Sequence, residues 1–415
     1  MYICNGYQNA DNMVTEETIE QVITAQRANM AHRGTGQRRE ALSSLPDLAN
    51  FALIVSGIRR CGKSTLLYQL LDERYQDALY LNFEDPRLYG FDLKDFVRLD
   101  KIIARLGTRV LLFDEIQIIT DWERYVRQKL DESFQIVITG SNASLLSKEL
   151  GTKLTGRHIT KELFPFSFEE FAEFTTKNHS PESLADYLEI GGFPEYVKQG
   201  IEDILHYVLE DILLRDIAIR HNIRDVDKLQ KLALYLISNV GKPVSANRLK
   251  SIVDIGSTST VTEYLSYLED SYLIQLIPKF DYSLRKQAIN PRKVYAIDTG
   301  LIKVNSSSFT RDDGRLLENL VYTHLRRSYQ QIYYFSEQRE CDFVVFDKTD
   351  IQAAIQVCYT LNQDNLEREM NGLLEAMDFF GLQEGTIVTF SQTDRFIEDG
   401  KIIHVIPAHA YLATD

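Results

Sequence analysis

The sequence predicts a multidomain α/β protein organised around a largely parallel sheet with helices on both faces. Its 415 residues, 44% of them hydrophobic, suffice for roughly two to four domains, each with its own core. From Phe51 onward, short apolar runs alternate with helical stretches: FALIVSG (51–57), ALYLNFE (78–84), RVLLFDE (109–115) and QIVITG (135–140). Runs of this length without polar alternation mark strands buried on both faces. The first run ends in the glycine-containing segment Gly57-Ile58-Arg59-Arg60-Cys61-Gly62-Lys63-Ser64, followed by the helical STLLYQLLDERY, so strand, loop and helix come in that order.

Taken in order, residues 1–50 are polar and read as an N-terminal helical arm, with one helix near Glu16–Ala31 and a basic stretch at 32–40. Residues 51–165 hold the strand-and-helix core. Residues 166–225 turn helical, because FEEFAEF, LADYLEI and ILHYVLEDILLRDIAI place apolar groups at three-to-four spacing; they read as a helical lid. In 226–300 three helices precede two strand-like pieces, LIQLIPKF and RKVYAID, the order of a winged helix-turn-helix. Residues 301–415 offer a helix, three strands, a long helix and two more strands, an α/β domain of its own.

Charge and cysteine usage narrow the function. A net charge of −14 excludes a uniformly basic surface for nucleic acid or anionic lipid. The opening residues lack the basic and apolar regions of a signal peptide, and no apolar run is long enough to span a bilayer, so a soluble cytoplasmic protein with no membrane partner is expected. Cys4, Cys61, Cys341 and Cys358 form no C-x-x-C pair and the histidines no H-x-x-x-H pair, so neither disulfides nor zinc are expected.

The segment 57–64 matches G-x-x-x-x-G-K-[ST] at every fixed position. In that pattern backbone N–H groups wrap phosphates, the next helix aims its positive end at them, Lys63 reaches the β and γ oxygens, and Ser64 ligates magnesium. The candidate nucleotide contacts are Gly57, Arg60, Cys61, Gly62, Lys63, Ser64 and Thr65; Cys61 reads as a small filler that is also the thiol most open to alkylation. The strand RVLLFDE ends in Asp114-Glu115, one carboxylate for the magnesium shell and one to take a proton from water beside the γ-phosphate. A glutamate in that second position points to hydrolysis of ATP. No N-K-x-D base-reading motif follows, which sets GTP aside. Asn142, past the strand QIVITG, is either a sensor of the γ-phosphate or a loop former. Arg157 is either an arginine finger, acting in its own chain or across a homo-oligomer, or a solvated surface residue.

The combination of GIRRCGKSTLL, LLFDEIQ, ITGSNASLL, LTGR, ELFPFSFEEF and GGFPEY resembles a prokaryotic family of AAA-type ATPases, and the likeness runs from about residue 20 to the end. That resemblance implies a P-loop core of the ASCE type with strand order 5-1-4-3-2. It implies that Lys63 and Ser64 serve the phosphate cradle, Asp114 and Glu115 the magnesium and the water, and Asn142 the sensor. The C-terminal half of such proteins is a domain of unknown function.

Partners are less legible. Residues 228–300 hold ten Lys and Arg against six acids, a local net charge of +4, so duplex DNA contacted through its backbone and docking of an unidentified protein both stand. In 301–415 the order Glu318, Asp342, Gln356 and Cys358 resembles a restriction-endonuclease-like fold that has lost an acid and a lysine, and its net charge of −8 opposes phosphate binding. An inactive domain kept for interaction is expected there. Two overall functions follow, a Mg-dependent ATPase that moves its C-terminal domains and a nucleotide-gated switch with negligible turnover.

Overall fold

The computed structural model describes residues 14–141, 154, 156–306 and 312–413. It divides into two compact units, the first made of residues 1–56 and 63–161 and the second of 57–62 and 162–415. Among the described residues no helix is long and apolar enough to cross a membrane.

In the first unit, strands β1 (Ala52–Ser56), β2 (Leu79–Asn82), β3 (Val110–Asp114), β4 (Gln135–Gly140) and β5 (His158–Glu162) form a sheet of order β2-β3-β4-β1-β5, the order 5-1-4-3-2 implied above. The pairs β2–β3, β3–β4 and β1–β4 are parallel. Parallel neighbours need crossovers, and helices α3 (Lys63–Glu73), α4 (Phe96–Leu106) and α5 (Trp122–Asp131) supply them. Every residue of β1 is buried, as its uninterrupted apolar run requires. On one face an aromatic cluster packs Phe96 flat on Tyr125 at 3.8 Å between ring centroids, with Phe83 set edgewise against Phe91 and Phe113. Register decides what meets at the end of the sheet: Ser56 lies opposite Gly140, Phe113 opposite Ile138 and Asn82 opposite Asp114. The last residues of four strands therefore share one edge.

Helix α1 (Glu16–Arg33) does not behave as a projecting arm. Ile19 and Val22 are fully buried in the sheet's core, and the Gln26 amide bonds both the N–H and the carbonyl of Asn82 at the end of β2. Thr15 caps the helix by accepting from the Thr18 N–H, and Glu16 and Glu17 lie in its first turn, where the helix dipole favours anions. The unit thus begins before residue 51, because an edge strand as short as β2 needs a cover.

In the second unit the lid-like helices run Phe168–Phe174, Pro181–Ile190, Pro194–Gln199 and Asp203–Asp211, the last continuing into a π-helical segment, Ile212–Ile219. Ser167 and Glu170 close a reciprocal capping box on the first of these. Next come helices Val226–Ile237, Ala246–Ile252 and Thr258–Asp270, with a three-stranded sheet in the order β6 (Pro243–Val244), β8 (Arg292–Ala296), β7 (Ile274–Pro278). This exceeds the expectation of two strands, and a short helix, Leu284–Ile289, fills the β7–β8 connection. The remainder is a six-stranded sheet ordered β13 (Asp394–Glu398), β14 (Lys401–Pro407), β12 (Glu384–Thr389), β11 (Asp350–Cys358), β10 (Glu340–Asp347), β9 (Gln331–Ser336), flanked by helices Asp313–Ser328 and Leu366–Phe380. The edge strand β13 is mostly exposed and polar, which hid it from the hydrophobic pattern. The sequence separated three domains here, yet one core joins Phe166, Phe171 and Tyr187 of the helical segment to Leu320, Phe343 and Val388 of the last. Apolar faces too small to be buried within each segment are buried against one another.

Candidate nucleotide site

Covalent order brings β1 into the loop 57–62 and the loop into the first turn of α3. At Gly57 a Cβ would lie 2.1 Å from the Leu163 carbonyl oxygen, so only glycine admits this approach. Arg60 has φ +63°, left-handed backbone that bends the loop. Its guanidinium donates to Glu195 at 3.0 Å, an exposed pair. Cys61 is completely buried, which removes the expected exposure to alkylating reagents. Gly62 takes φ +104°, and Thr65 sits half-buried in the first turn of α3.

Within the first unit, Lys63 is buried and its Nζ lies 4.0 Å from Glu115 Oε1. Asp114, fully buried at the end of β3, accepts hydrogen bonds from the Tyr80 hydroxyl at 2.7 Å, from Thr139 Oγ1 and from the Ser64 hydroxyl. Burial, and after it the charge of Glu115, pushes the Asp114 carboxyl above its ordinary pKa, while the Thr139, Ser64 and Tyr80 donors pull the other way. Glu115 adopts left-handed backbone at φ +53°, its N–H donates to Thr139 Oγ1 at 3.1 Å, and its carboxylate accepts from Gln117. Such a conformation in a residue with a Cβ is costly and is kept where surrounding contacts over-determine it.

Lys63, Ser64, Asp114 and Glu115 are thus brought together as expected. Asn142 lies outside the described residues. Arg157 is placed at the other end of the sheet: its guanidinium donates to the carbonyls of Asn50, just before β1, and Leu130, and pairs with Asp131 at the end of α5 at 2.5 Å, while its own carbonyl accepts from Ala52 N–H. The five residues of β1 separate that end from the loop, about 17 Å, so Arg157 does not act as a finger on its own chain's phosphates. Two residues of the site escaped the sequence reading. Tyr80 sits on β2, beside the end of β3, and Thr139 was read only as part of an apolar strand; a lone buried hydroxyl within ITG was the one signal available.

The C-terminal acids also meet. Glu318 and Asp342 approach one another, and Gln356 bridges them to a further acid, accepting from the Asp342 N–H at 3.2 Å and donating to Glu369 at 2.6 Å. The cation among them is Lys293 of β8, whose Nζ lies 3.2 Å from Glu318, 2.8 Å from Glu340 and 2.9 Å from Asp342 with its side chain 2% exposed. Burial pushes the Glu318 carboxyl up, and Asp342 adds to it. Lys293 therefore does not belong to a basic surface. Lys279 and Arg292 likewise lie against Glu337 and Glu269, so these three cations of the island counted from the sequence are paired within the fold.

Residues 49–172 match the model of the AAA domain, 181–310 that of a domain of unknown function, DUF8612, and 313–411 that of another, DUF4143. None of these matches supports the restriction-endonuclease-like assignment of 301–415. An uncharacterized protein of Methanocaldococcus jannaschii is 34% identical over 87% of this chain and 88% of its own, and one of Haemophilus influenzae 30% identical over 86% and 94%. Among solved structures, AMPPCP-bound DnaA from Aquifex aeolicus aligns over 63% of this chain and 92% of its own at 16% identity and a TM-score of 0.28. Cdc6p from Pyrobaculum aerophilum aligns over 71% and 93% at 14% identity and a TM-score of 0.25. With about a third of its residues shared across most of their length, the chain belongs to the family of these archaeal and bacterial proteins, and its phosphate-loop unit is an AAA-type P-loop domain.

Proposed function

We propose that the protein is a magnesium-dependent ATPase whose turnover moves its C-terminal segments against a partner, with duplex DNA the first partner to test. The observation that carries this reading is the Thr139 hydroxyl, which holds the Asp114 carboxylate and the Glu115 N–H together beside Lys63 and Ser64. The Ser64 hydroxyl and the Asp114 carboxylate are hard oxygen donors in mutual contact and suit magnesium, which when bound would neutralise charge on the β and γ phosphates. Lys63 binds the same oxygens from the start of α3. Glu115 takes a proton from a water whose oxygen attacks the γ-phosphorus; the bond to the β–γ bridging oxygen breaks, leaving ADP and phosphate. Burial of the site keeps bulk water from competing with these contacts.

The DNA reading is favoured by the three helices and three-stranded sheet of 226–300, the element order of a winged helix-turn-helix, and by Arg248, Arg285 and Lys286, which stay exposed. Phosphate release with and without duplex DNA tests both halves. Lys63→Ala should lose nucleotide affinity and turnover together, whereas Glu115→Gln should keep affinity and lose turnover by roughly a hundredfold or more. Glu115→Gln turning over like the parent would remove the hydrolase reading. A parent that binds ATP and releases no phosphate in either condition would leave a nucleotide-gated switch.

A further inference from the structure

The phosphate loop carries a second arginine that the nucleotide site does not use. Arg59 Nε donates to Asp216 Oδ2 at 3.2 Å and its Nη2 to Oδ1 at 3.0 Å, a two-pronged pair whose side chains are 17% and 10% exposed. A planar fork on a carboxylate fixes direction as well as distance, and out of water it is costly to break. Asp216 lies inside the π-helical segment 212–219 that extends helix Asp203–Asp211. Two residues past that segment, the His221 ring stacks on Tyr267 with centroids 3.7 Å apart and planes 14° from parallel. Tyr267 belongs to helix Thr258–Asp270, the third helix of the 226–300 segment.

The helix is therefore pinned at one point to the phosphate loop and, five residues on, in the turn that follows it, to helix Thr258–Asp270. The π geometry matters because its i→i+5 bonding holds an extra residue in the turn and recurs at functional sites; sliding that residue returns the segment to ordinary helix. A shift at Asp216 would be felt along the same segment. We propose that residues 203–221 are the coupling rod of the protein: occupation of the phosphate loop is transmitted through the Arg59–Asp216 pair to the π segment, and through the His221–Tyr267 stack to helix 258–270. The inference rests on the nucleotide reading above and deepens it, giving the site its route to the partner-binding segment.

Hydrogen exchange of the full-length protein, with and without Mg·AMPPNP, provides the test, and binding is followed separately with a fluorescent ATP analogue. In the parent, nucleotide should change exchange in peptides from 203–221 and from 258–270 by roughly fivefold or more. Asp216→Asn should still bind nucleotide while both responses vanish, and Asp216→Glu should keep them in part. His221→Ala should retain the response in 203–221 and lose it in 258–270, a split that general destabilisation does not produce and that serves alone if Asp216→Asn fails to fold. The coupling rod is wrong if the parent binds nucleotide without a response in 258–270, or if that response survives unchanged in both Asp216→Asn and His221→Ala. A parent that binds no nucleotide at all sinks the nucleotide reading, and the rod with it.

Discussion

Thr139 is the residue on which the arrangement of the two acidic groups turns. Its oxygen donates to Asp114 and accepts from the Glu115 N–H, so one hydroxyl sets the direction of both. Thr139→Val keeps the shape and deletes the hydroxyl. It leaves the part-buried Glu115 N–H without that acceptor, at a cost of about 1 kcal/mol. Phosphate release should fall about 10–100-fold, the usual size of a lost supporting contact behind a metal ligand, while nucleotide affinity changes little. Thr139→Ser should recover most of the rate. Equal turnover in Thr139→Val and parent would show that the hydroxyl only fills space. In the loop itself, Cys61 is fully buried and the Arg60 guanidinium pairs with Glu195.

At the scale of elements, Arg157 belongs to the seam between β1, β5 and the end of α5. Two backbone carbonyls and Asp131 occupy its guanidinium, and its carbonyl closes the first rung beside Ala52. Arg157→Ala should therefore lower the melting temperature by a few degrees, consistent with about 1 kcal/mol for an ion pair at this exposure, and leave ATP turnover near parental. Mixing Arg157→Ala with Lys63→Ala should restore no activity beyond that of Arg157→Ala alone. A turnover loss of tenfold or more in Arg157→Ala, recovered in the mixture, would return the residue to service in a neighbouring subunit. Helix α1 teaches a similar lesson about elements, since its polar composition suggested an arm while Ile19, Val22 and Gln26 bind it to the sheet.

At the scale of the whole molecule, Lys293 binds β8 of the middle segment to helix Asp313–Ser328 and β10 of the last. An ammonium occupies the middle of an acid cluster that would otherwise need an external cation. Lys293→Met should cost about 3–5 kcal/mol in urea unfolding, because the buried Asp342 and the largely covered Glu318 are left without their cation. Adding Glu318→Gln should recover a large part, since one of the two repelling charges is gone. If Lys293→Met unfolds like the parent, the cluster is not what joins these segments.

The sheet order came from the family likeness, whereas the chain alone determined that a glycine-containing loop lies between a buried strand and a helix and that two adjacent acids end another strand. These features are local: a tight loop needs its glycines, a strand buried on both faces needs an unbroken apolar run, and both are written in consecutive residues. Only the tertiary structure decided which side chains lie beside these acids. Strand register set Tyr80 and Thr139 beside Asp114, distance took Arg157 to the far end of β1, and a lysine counted as surface charge became the buried partner of three carboxylates. Contacts between residues dozens of positions apart depend on the packing of whole elements, and no local pattern of residue types encodes them.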